Sequence, residues 1–344
     1  MKLISIILLL LISLHANDGV HKFAPSSECN KCHTTIYSEF KGSMHAKATP
    51  SQDPIHKAVW DKHPKNKKFN QYVCGKCHTP AANNLDKMIT KGQKAMPDPK
   101  NATHQEAISC TYCHRITDVK LHAKSNTNII STDENLFHHK DMSDEMKAGK
   151  SCIGCHSHKA NKAKLNVCTT DIDNQMGKNC VSCHMPKLGG HTFHGFAGTH
   201  NNSEMLEKYV DISIVKNNDN FVVHVKNKST HALLLHPLRV GVLKMSVTRG
   251  SETIKLKKEV FVRIIGKNKK PAMPWVANEV IKNTMIQANE NRAVKRDFMI
   301  QHGDKINVVL GWFLVNPKAV KKLGLEKEKV ATEFKVFKKE SFEF

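Results

Sequence analysis

The pattern CxxCH occurs five times in this chain of 344 residues, and it limits strongly what the chain can fold into. The five copies take up ten of the 11 cysteines, namely Cys29, Cys32, Cys74, Cys77, Cys110, Cys113, Cys152, Cys155, Cys180 and Cys183. The histidines that end the copies are His33, His78, His114, His156 and His184. Composition alone would produce about 0.02 matches to this pattern in the chain. The repetition therefore predicts five sites of one kind.

The spacing of two cysteines and one histidine suits the covalent attachment of haem c. The two thiols form thioethers with the haem vinyl groups, and the adjacent histidine becomes the proximal ligand of the iron. Zinc ribbons also use CxxC, but they need an even number of pairs and no histidine after each one. A thioredoxin-like CxxC occurs once beside a βαβ pattern, and a disulfide framework has no reason to repeat this spacing. The sequence predicts five covalent haem c groups, in motifs numbered 1 to 5 along the chain.

The first residues have the composition of an export signal. "MKLISIILLLLISLHAND" carries one lysine, an apolar run and the small residue Ala16 before a polar stretch. This pattern predicts a secretory signal peptide over residues 1–16. The apolar run is short for a membrane span, which needs about 20 residues; an uncleaved anchor is the alternative. Because haem c is attached outside the cytoplasm, we expect a periplasmic protein, with the cell surface as the alternative.

The chain carries a formal net charge of +22, and lysine supplies most of the positive charge. Of its 53 basic residues only six are arginine. Proteins that recognise nucleic acids favour arginine for contacts to bases and phosphates, and no nucleic-acid motif is present, so no nucleic-acid partner is expected. The charge suits docking to acidic redox partner proteins, or peripheral contact with an anionic membrane surface.

Composition divides the chain near residue 205. All five motifs lie in residues 21–204, which leaves too few side chains for an ordinary core. We therefore expect a pentahaem domain over residues 21–204, built of short helices and loops wrapped around the haems. Residues 34–48 and 53–64 have the pattern of helices of two to three turns.

Residues 205–344 contain no CxxCH and have the pattern of an antiparallel β-sandwich-like domain. Seven segments alternate or run apolar, namely 209–215, 220–227, 240–249, 253–264, 296–301, 305–315 and 332–339. A short helix is predicted over residues 317–325. The predicted fold class is α+β, with two domains after the signal peptide.

The sixth ligand of each iron decides what a haem can do. A second histidine gives an electron carrier, whereas an open position allows catalysis. Local context favours five histidines outside the motifs as distal ligands: His45, His104, His191, one of the pair His138 and His139, and His231 from the β region. His194 is the alternative to His191, because it lies in the same segment "HTFHG".

Taken together, the segments "SMHAKA", "ISCTYCHRIT", "NCVSCHMP" and "HTFHG" resemble the periplasmic multihaem cytochromes c. This family includes the tetrahaem nitrification cytochromes and, more distantly, the pentahaem nitrite reductases. The resemblance implies that His45 and His191 are distal ligands. The segment "NKSTHALLLHPLR" resembles the β-sandwich appended to some relatives, although Thr230 replaces their glycine before His231.

Cys168 is the one cysteine outside the motifs. In relatives a cysteine recurs at this place, between the last two motifs. One interpretation is a buried small residue in the loop between two stacked haems, where an apolar environment makes a thiol inert. The other is a reactive thiol or an intermolecular disulfide, which an oxidising compartment would make costly to expose.

Two classes of function are consistent with the sequence. The first is an electron carrier in periplasmic respiration, between a quinol-side donor cytochrome and a terminal reductase or other acceptor, through mostly bis-histidine haems. The second is an enzyme that reduces small nitrogen or sulfur oxyanions, such as nitrite or hydroxylamine, at one open haem. Arg115 and Tyr112 flank motif 3 and mark it as the first place to look for such an open site. A polymerising surface cytochrome is a third hypothesis. The sequence favours the carrier but leaves the enzyme open.

Overall fold

The computed structural model describes residues 23–122, 126–133, 146–157, 159–167, 180–234 and 236–344. The predicted signal peptide, His138, His139 and Cys168 lie outside these residues. Within the described residues, no helix is both long enough and apolar enough to span a membrane.

The first half of the chain consists of short helices joined by loops. The helices are α1 (Thr34–Gly42), α2 (Pro54–Asp61), α3 (Pro64–Phe69), α4 (Gly75–His78), α5 (Leu85–Ile89), α6 (Ala102–Gln105), α7 (Cys110–Cys113), α8 (Lys150–His156) and α9 (Cys180–His184), and a 3₁₀ helix spans Ser26–Lys31. Helix α2 begins where predicted, because the Asp53 carboxylate caps it by accepting from the Ile55 amide at 2.9 Å and Pro54 takes the first position.

Helix α1 is shorter than the sequence predicts. It ends at Gly42, and Ser43 adopts an extended backbone conformation. The Ser43 hydroxyl then accepts a hydrogen bond from the Ala46 amide at 3.3 Å, which closes a local turn. His45 therefore lies in a turn after the helix, where its direction is independent of the helical repeat.

Two small hairpins interrupt the helical half, and the sequence analysis did not predict them. Strands β1 (Ile116–Lys120) and β2 (Thr127–Ile130) pair antiparallel directly after motif 3. Strands β3 (Lys187–Leu188) and β4 (His191–Thr192) form the second hairpin, directly after motif 5.

The second half is an antiparallel β structure. Its strands are β5 (Val210–Lys216), β6 (Phe221–Asn227), β7 (Val240–Arg249), β8 (Glu252–Lys255), β9 (Glu259–Lys267), β10 (Lys270–Pro271), β11 (Glu279–Asn283), β12 (Asn291–Arg296), β13 (Lys305–Phe313) and β14 (Lys335–Glu343). A 3₁₀ helix precedes them at Ser203–Tyr209, and helices α10 (Pro317–Leu323) and α11 (Lys329–Thr332) connect the last two.

The strands form two sheets. A seven-stranded sheet has the order β10-β9-β7-β13-β14, with β11 also pairing with β9 and β8 with β7, and a three-stranded sheet has the order β12-β6-β5. Every pairing is antiparallel. The α+β fold class is confirmed.

Two of the predicted strands are placed differently in the structure. The segment 253–264 is divided into β8 and β9, which pair with opposite ends of β7. The segment 296–301 was predicted as a strand, but the strand lies before it, at Asn291–Arg296. The ladder stops at Arg296 because that residue pairs with Phe221, the first residue of β6, so later residues have no partner on that strand.

The main hydrophobic core lies between the two sheets and includes residues of the helical half. Val223 of β6, Leu243 of β7 and Val308 of β13 are fully buried in it. Ile55 and Ala58 of helix α2 belong to the same cluster. The two halves of the chain therefore share one core. A domain boundary near residue 205 remains a prediction.

Candidate functional site

The five CxxCH motifs form single helical turns. Motif 1 begins in the 3₁₀ helix and extends two residues beyond it, and the other motifs overlap or lie in α4, α7, α8 and α9. In motif 2 the His78 amide donates to the Cys74 carbonyl at 3.0 Å, and in motif 3 the His114 amide donates to Cys110 at 2.9 Å. Residues three and four apart in such a turn lie on one face. Each motif therefore presents its two thiols and its imidazole from a single turn of backbone.

Thiols from different motifs contact one another. All ten motif cysteines are free of disulfides. Three pairs of thiols from different motifs lie close enough for each thiol to affect the pKa of its partner: Cys29 with Cys110, Cys77 with Cys155, and Cys152 with Cys180. Motif 1 therefore lies next to motif 3, motif 2 next to motif 4, and motif 4 next to motif 5. Burial raises the pKa of the free Cys110 thiol to about 11 and of the free Cys113 thiol to about 12.

Two motif histidines face a second histidine at the spacing that a six-coordinate iron needs. The ring centres of His114 and His194 are 6.4 Å apart with planes 13° from parallel. Those of His184 and His231 are 6.1 Å apart at 17°. An iron bonded to both imidazoles at about 2 Å, the usual metal–nitrogen distance for histidine, would separate the ring centres by roughly 6 Å. Both pairs fit an iron between them.

In four histidines, two of them in motifs and two facing motif histidines, a hydrogen bond at Nδ1 leaves Nε2 available to bind a metal. Four rings donate from Nδ1 to a backbone carbonyl: His78 to Ala48 at 3.0 Å, His184 to Ala197 at 2.6 Å, His194 to Thr192 at 2.6 Å, and His231 to Ala232 at 3.0 Å. A ligating histidine characteristically donates its other ring N–H in this way, which fixes its tautomer and orientation.

A third pair joins His45 to His156 of motif 4. Their ring centres are 5.9 Å apart with planes at 74°. Burial lowers the pKa of His45 to about 3 and of His156 to about 4, so both are neutral, which is the form that binds iron. Nδ1 of His45 is buried without a hydrogen-bond partner. A buried polar atom of this kind is costly unless it is satisfied, and a metal ion would satisfy it. The site thus fits haem iron.

Two other predicted ligands are hydrogen-bonded within the protein at Nε2. His104 accepts from the Asp98 amide at Nδ1 (2.9 Å) and donates from Nε2 to Asn83 Oδ1 (2.8 Å). His191 donates from Nε2 to Glu39 Oε1 at 2.8 Å. His138 and His139 lie outside the described residues. The predicted ligand roles of these four histidines remain predictions.

The structure also brings forward histidines that the sequence analysis passed over or ranked second. His194, the alternative to His191, faces His114. His56 of helix α2 stacks on His78 at 4.0 Å, which is too close for an iron between the rings, and its Nε2 hydrogen-bonds the Tyr72 hydroxyl at 2.8 Å. In the sequence, the feature that could have drawn attention to His56 is its position two residues after Pro54, which starts helix α2. His236 is partly buried, with Nδ1 accepting from the Leu238 amide at 3.3 Å.

Arg115 and Tyr112, the residues that suggested an open site at motif 3, support the surrounding fold. Arg115 is 1% exposed, and its guanidinium donates twice to the Ser131 carbonyl, at 3.1 and 2.7 Å. It also lies over the Phe23 ring at 5.0 Å. The Tyr112 hydroxyl accepts from Asn128 of β2 at 3.5 Å. Arg115 thus connects motif 3 to Ser131, directly after β2, and to Phe23, and Tyr112 connects motif 3 to β2.

Comparison with known proteins agrees with this geometry. Residues 28–115 match the family described as cytochrome c554 and c-prime. The fold is similar to the crystal structure of a penta-heme cytochrome c552 from Thermochromatium tepidum, with a TM-score of 0.76 and 21% sequence identity over 94% of this chain and 100% of that one. The chain therefore has the fold of a multihaem cytochrome c. No curated protein matches it in sequence.

The chain combines two parts, a half that carries the five CxxCH motifs and a C-terminal β half. The motif cysteines and histidines are the residues that would hold haem c. The β half contributes to the binding half directly, since His231 follows strand β6 and faces His184.

Proposed function

We propose that this cytochrome carries electrons through five covalently bound haem c groups. The observation that carries the proposal is the set of three histidine pairs at motifs 3, 4 and 5. Haem c, when bound, supplies an iron that takes up and releases one electron. A histidine on each side of an iron leaves no position for a substrate and changes little in geometry on reduction, which suits electron transfer.

The thiol contacts support a connected array rather than isolated sites. Motif 3 adjoins motif 1 through Cys110, and motif 4 adjoins motifs 2 and 5 through Cys155 and Cys152. Cys113 of motif 3 is also close enough to Cys152 for that neighbour to raise its pKa. We infer a path in which motifs 1, 3 and 4 follow one another, and motifs 2 and 5 both branch from motif 4.

The chain's own residues partly bury His114 and fix the orientation of His78 and His184. Burial lowers the pKa of His114 to about 4, which keeps its imidazole neutral and able to bind iron. The carbonyls of Ala48 and Ala197 hold the imidazoles of His78 and His184 in one orientation. This preorganisation limits ligand movement when the charge on the iron changes.

Compartment and partners follow from the sequence. We propose export to the periplasm, where a quinol-side donor cytochrome reduces the chain and a terminal reductase or other acceptor oxidises it. The excess of lysine suits docking to acidic surfaces of such partners, an interaction that weakens as salt rises. Contact with an anionic membrane surface would use the same charge.

A reductase with its open site at motif 3 receives less support. His194 faces His114 across the iron position, and Arg115 is engaged by the Ser131 carbonyl. Motifs 1 and 2 have no second imidazole at iron-binding spacing among the described residues. The predicted ligands His138 and His139, which lie outside the described residues, are the candidates there.

Electron paramagnetic resonance of the oxidised holoprotein tests the proposal. We expect low-spin ferric signals for at least the haems at motifs 3, 4 and 5, and no binding of carbon monoxide by those haems after reduction. Low-spin signals alone would support a carrier throughout. High-spin ferric iron in more than two of the five haems would contradict it.

A further inference from the structure

The loop after motif 5 carries two histidines three residues apart, and their surroundings differ. His191 is the first residue of strand β4, and His194 follows that strand by two residues. His194 has its ring centre 6.4 Å from that of His114, with Nδ1 donating to the Thr192 carbonyl. His191 instead donates from Nε2 to a carboxylate. The fold therefore places two side chains of the same type in different environments.

Glu39 of helix α1 contacts both histidines. Its Oε1 accepts from Nε2 of His191 at 2.8 Å, and its Oε2 accepts from the backbone amide of His194 at 2.8 Å. The two oxygens of one carboxylate thus bridge the side chain of one histidine and the main chain of the other. Hydrogen bonds to an ionised group are stronger than those between neutral groups.

The carboxylate is held by its own element. The Glu39 side chain is only 16% exposed. Its neighbour Phe40 is buried, so the last turn of α1 is packed in place. Helix α1 starts directly after His33, the histidine of motif 1. The position of Glu39 is therefore fixed by motif 1, although the histidines it contacts follow motif 5.

The loop on the other side is equally constrained. The Phe193 amide donates to the Pro186 carbonyl at 2.9 Å, and the Phe193 ring is buried. A side chain at Gly195 would collide with that ring, so the backbone at this position lies close against it. With the carboxylate and the loop both fixed, the two bonds from Glu39 set which imidazole points toward motif 3.

We propose that Glu39 is a positioning residue that makes His194, rather than His191, the second ligand of the haem at motif 3. It acts in two ways. It occupies Nε2 of His191, the atom that would bind iron, and it anchors the backbone from which His194 reaches the site. This inference rests on the proposed bis-histidine haem at motif 3 and adds the residue that selects its ligand.

The test uses the full-length holoprotein and ferric resonance spectra. His194→Ala should convert one haem to high spin, and its spectrum identifies the signal of the haem at motif 3. In Glu39→Ala we expect that same signal to move while remaining low-spin, because the freed His191 can bind in place of His194. The double variant Glu39→Ala/His191→Ala should turn a substantial part of that haem high-spin and able to bind carbon monoxide when reduced.

Two further variants control the experiment. Asp86→Ala removes an exposed carboxylate of helix α5 and should leave the spectrum unchanged. Glu39→Gln keeps an oxygen that can accept from the His194 amide and should retain more of the original signal than Glu39→Ala. If Glu39→Ala does not accumulate with its full complement of haems, the same comparison is made between Glu39→Gln and Glu39→Gln/His191→Ala.

The outcomes separate the two proposals. If His194→Ala opens a haem but no Glu39 variant alters the signal of that haem, the positioning role is wrong and the bis-histidine site stands. If His194→Ala leaves every haem low-spin, the proposed site at motif 3 is wrong, and the inference about Glu39 falls with it.

Discussion

Replacement of His231 by alanine tests whether the β half supplies an iron ligand. The His231 ring lies 6.1 Å from that of His184 at 17°, and its Nδ1–H donates to the Ala232 carbonyl. Alanine removes the imidazole and leaves the iron at motif 5 with one histidine. The expected change is one high-spin haem per chain, or one-fifth of the iron when all five motifs are loaded.

The fold should survive this substitution. The His231 carbonyl accepts from the Asn227 side chain and the Ser229 hydroxyl, both at 2.9 Å, and alanine keeps that carbonyl. The turn after β6 therefore retains its hydrogen bonds. Loss of the imidazole leaves a polar cavity. Water can enter this cavity and bind the iron.

Carbon monoxide titration of the reduced protein measures the effect directly. We expect His231→Ala to bind one equivalent of carbon monoxide per chain more than the parent protein. His302→Ala, in an exposed turn before β13, is the matched control and should bind no more than the parent. A His231→Ala variant with all five haems attached, an unchanged low-spin spectrum and no added carbon monoxide binding would refute the ligand assignment.

Three further predictions concern the motifs and the β half. Denaturing mass spectrometry of mature protein should give the polypeptide mass plus five haems, and four or fewer after complete maturation would show that one CxxCH is not used. Asp304→Asn should lower the free energy of unfolding by about 2 kcal/mol at pH 7, because the buried carboxylate accepts two hydrogen bonds from Arg249 at 2.8 Å. These bonds lower the pKa of Asp304 from 3.8 to about 2, so in denaturant titrations the difference between parent and variant should shrink as pH falls from about 4 towards 2. Gly154→Ala, inside motif 4, should destabilise the protein by about 2 kcal/mol, because the new methyl group would collide with the Asn128 side chain of β2; equal thermal stability of parent and variant would contradict the close packing.

The sequence was most informative where chemistry or alternation is local. The bounds of strand β7 were predicted correctly, because apolar and polar residues alternate along most of 240–249, as in a strand with one buried face. A short helix was predicted over residues 317–325; in the structure the Asn316 side chain caps its start, and it ends at Leu323 because Gly324 adopts a left-handed conformation. Haem c could be predicted because the CxxCH motif contains both the thiols that attach the haem and the histidine that binds its iron.

Short, polar or paired elements were harder to predict. Strands β11 and β12 are largely polar. They form because they pair with the edges of β9 and β6, and the local sequence does not reveal that pairing. The β1–β2 hairpin depends on its packing against α8, which lies twenty residues further along the chain. Such elements are determined by their partners.

The distal histidines show the same limit. His45 and His231 were named from local context, and the structure places both opposite a motif histidine. The choice between His191 and His194 depends on Glu39, which is more than 150 residues away. Sequence spacing alone does not contain that information, because it is a property of the assembled fold.

The contacts between thiols of different motifs have a consequence for how the protein must mature. In the folded polypeptide Cys29 meets Cys110, Cys77 meets Cys155 and Cys152 meets Cys180. A chain that folded before receiving its haems would be one oxidation step from three cross-links, each joining two motifs and removing a thiol from both. An oxidising compartment favours that reaction. If the protein matures in such a compartment, we expect haem to be attached before the chain becomes compact, and the motif thiols to be kept reduced until then.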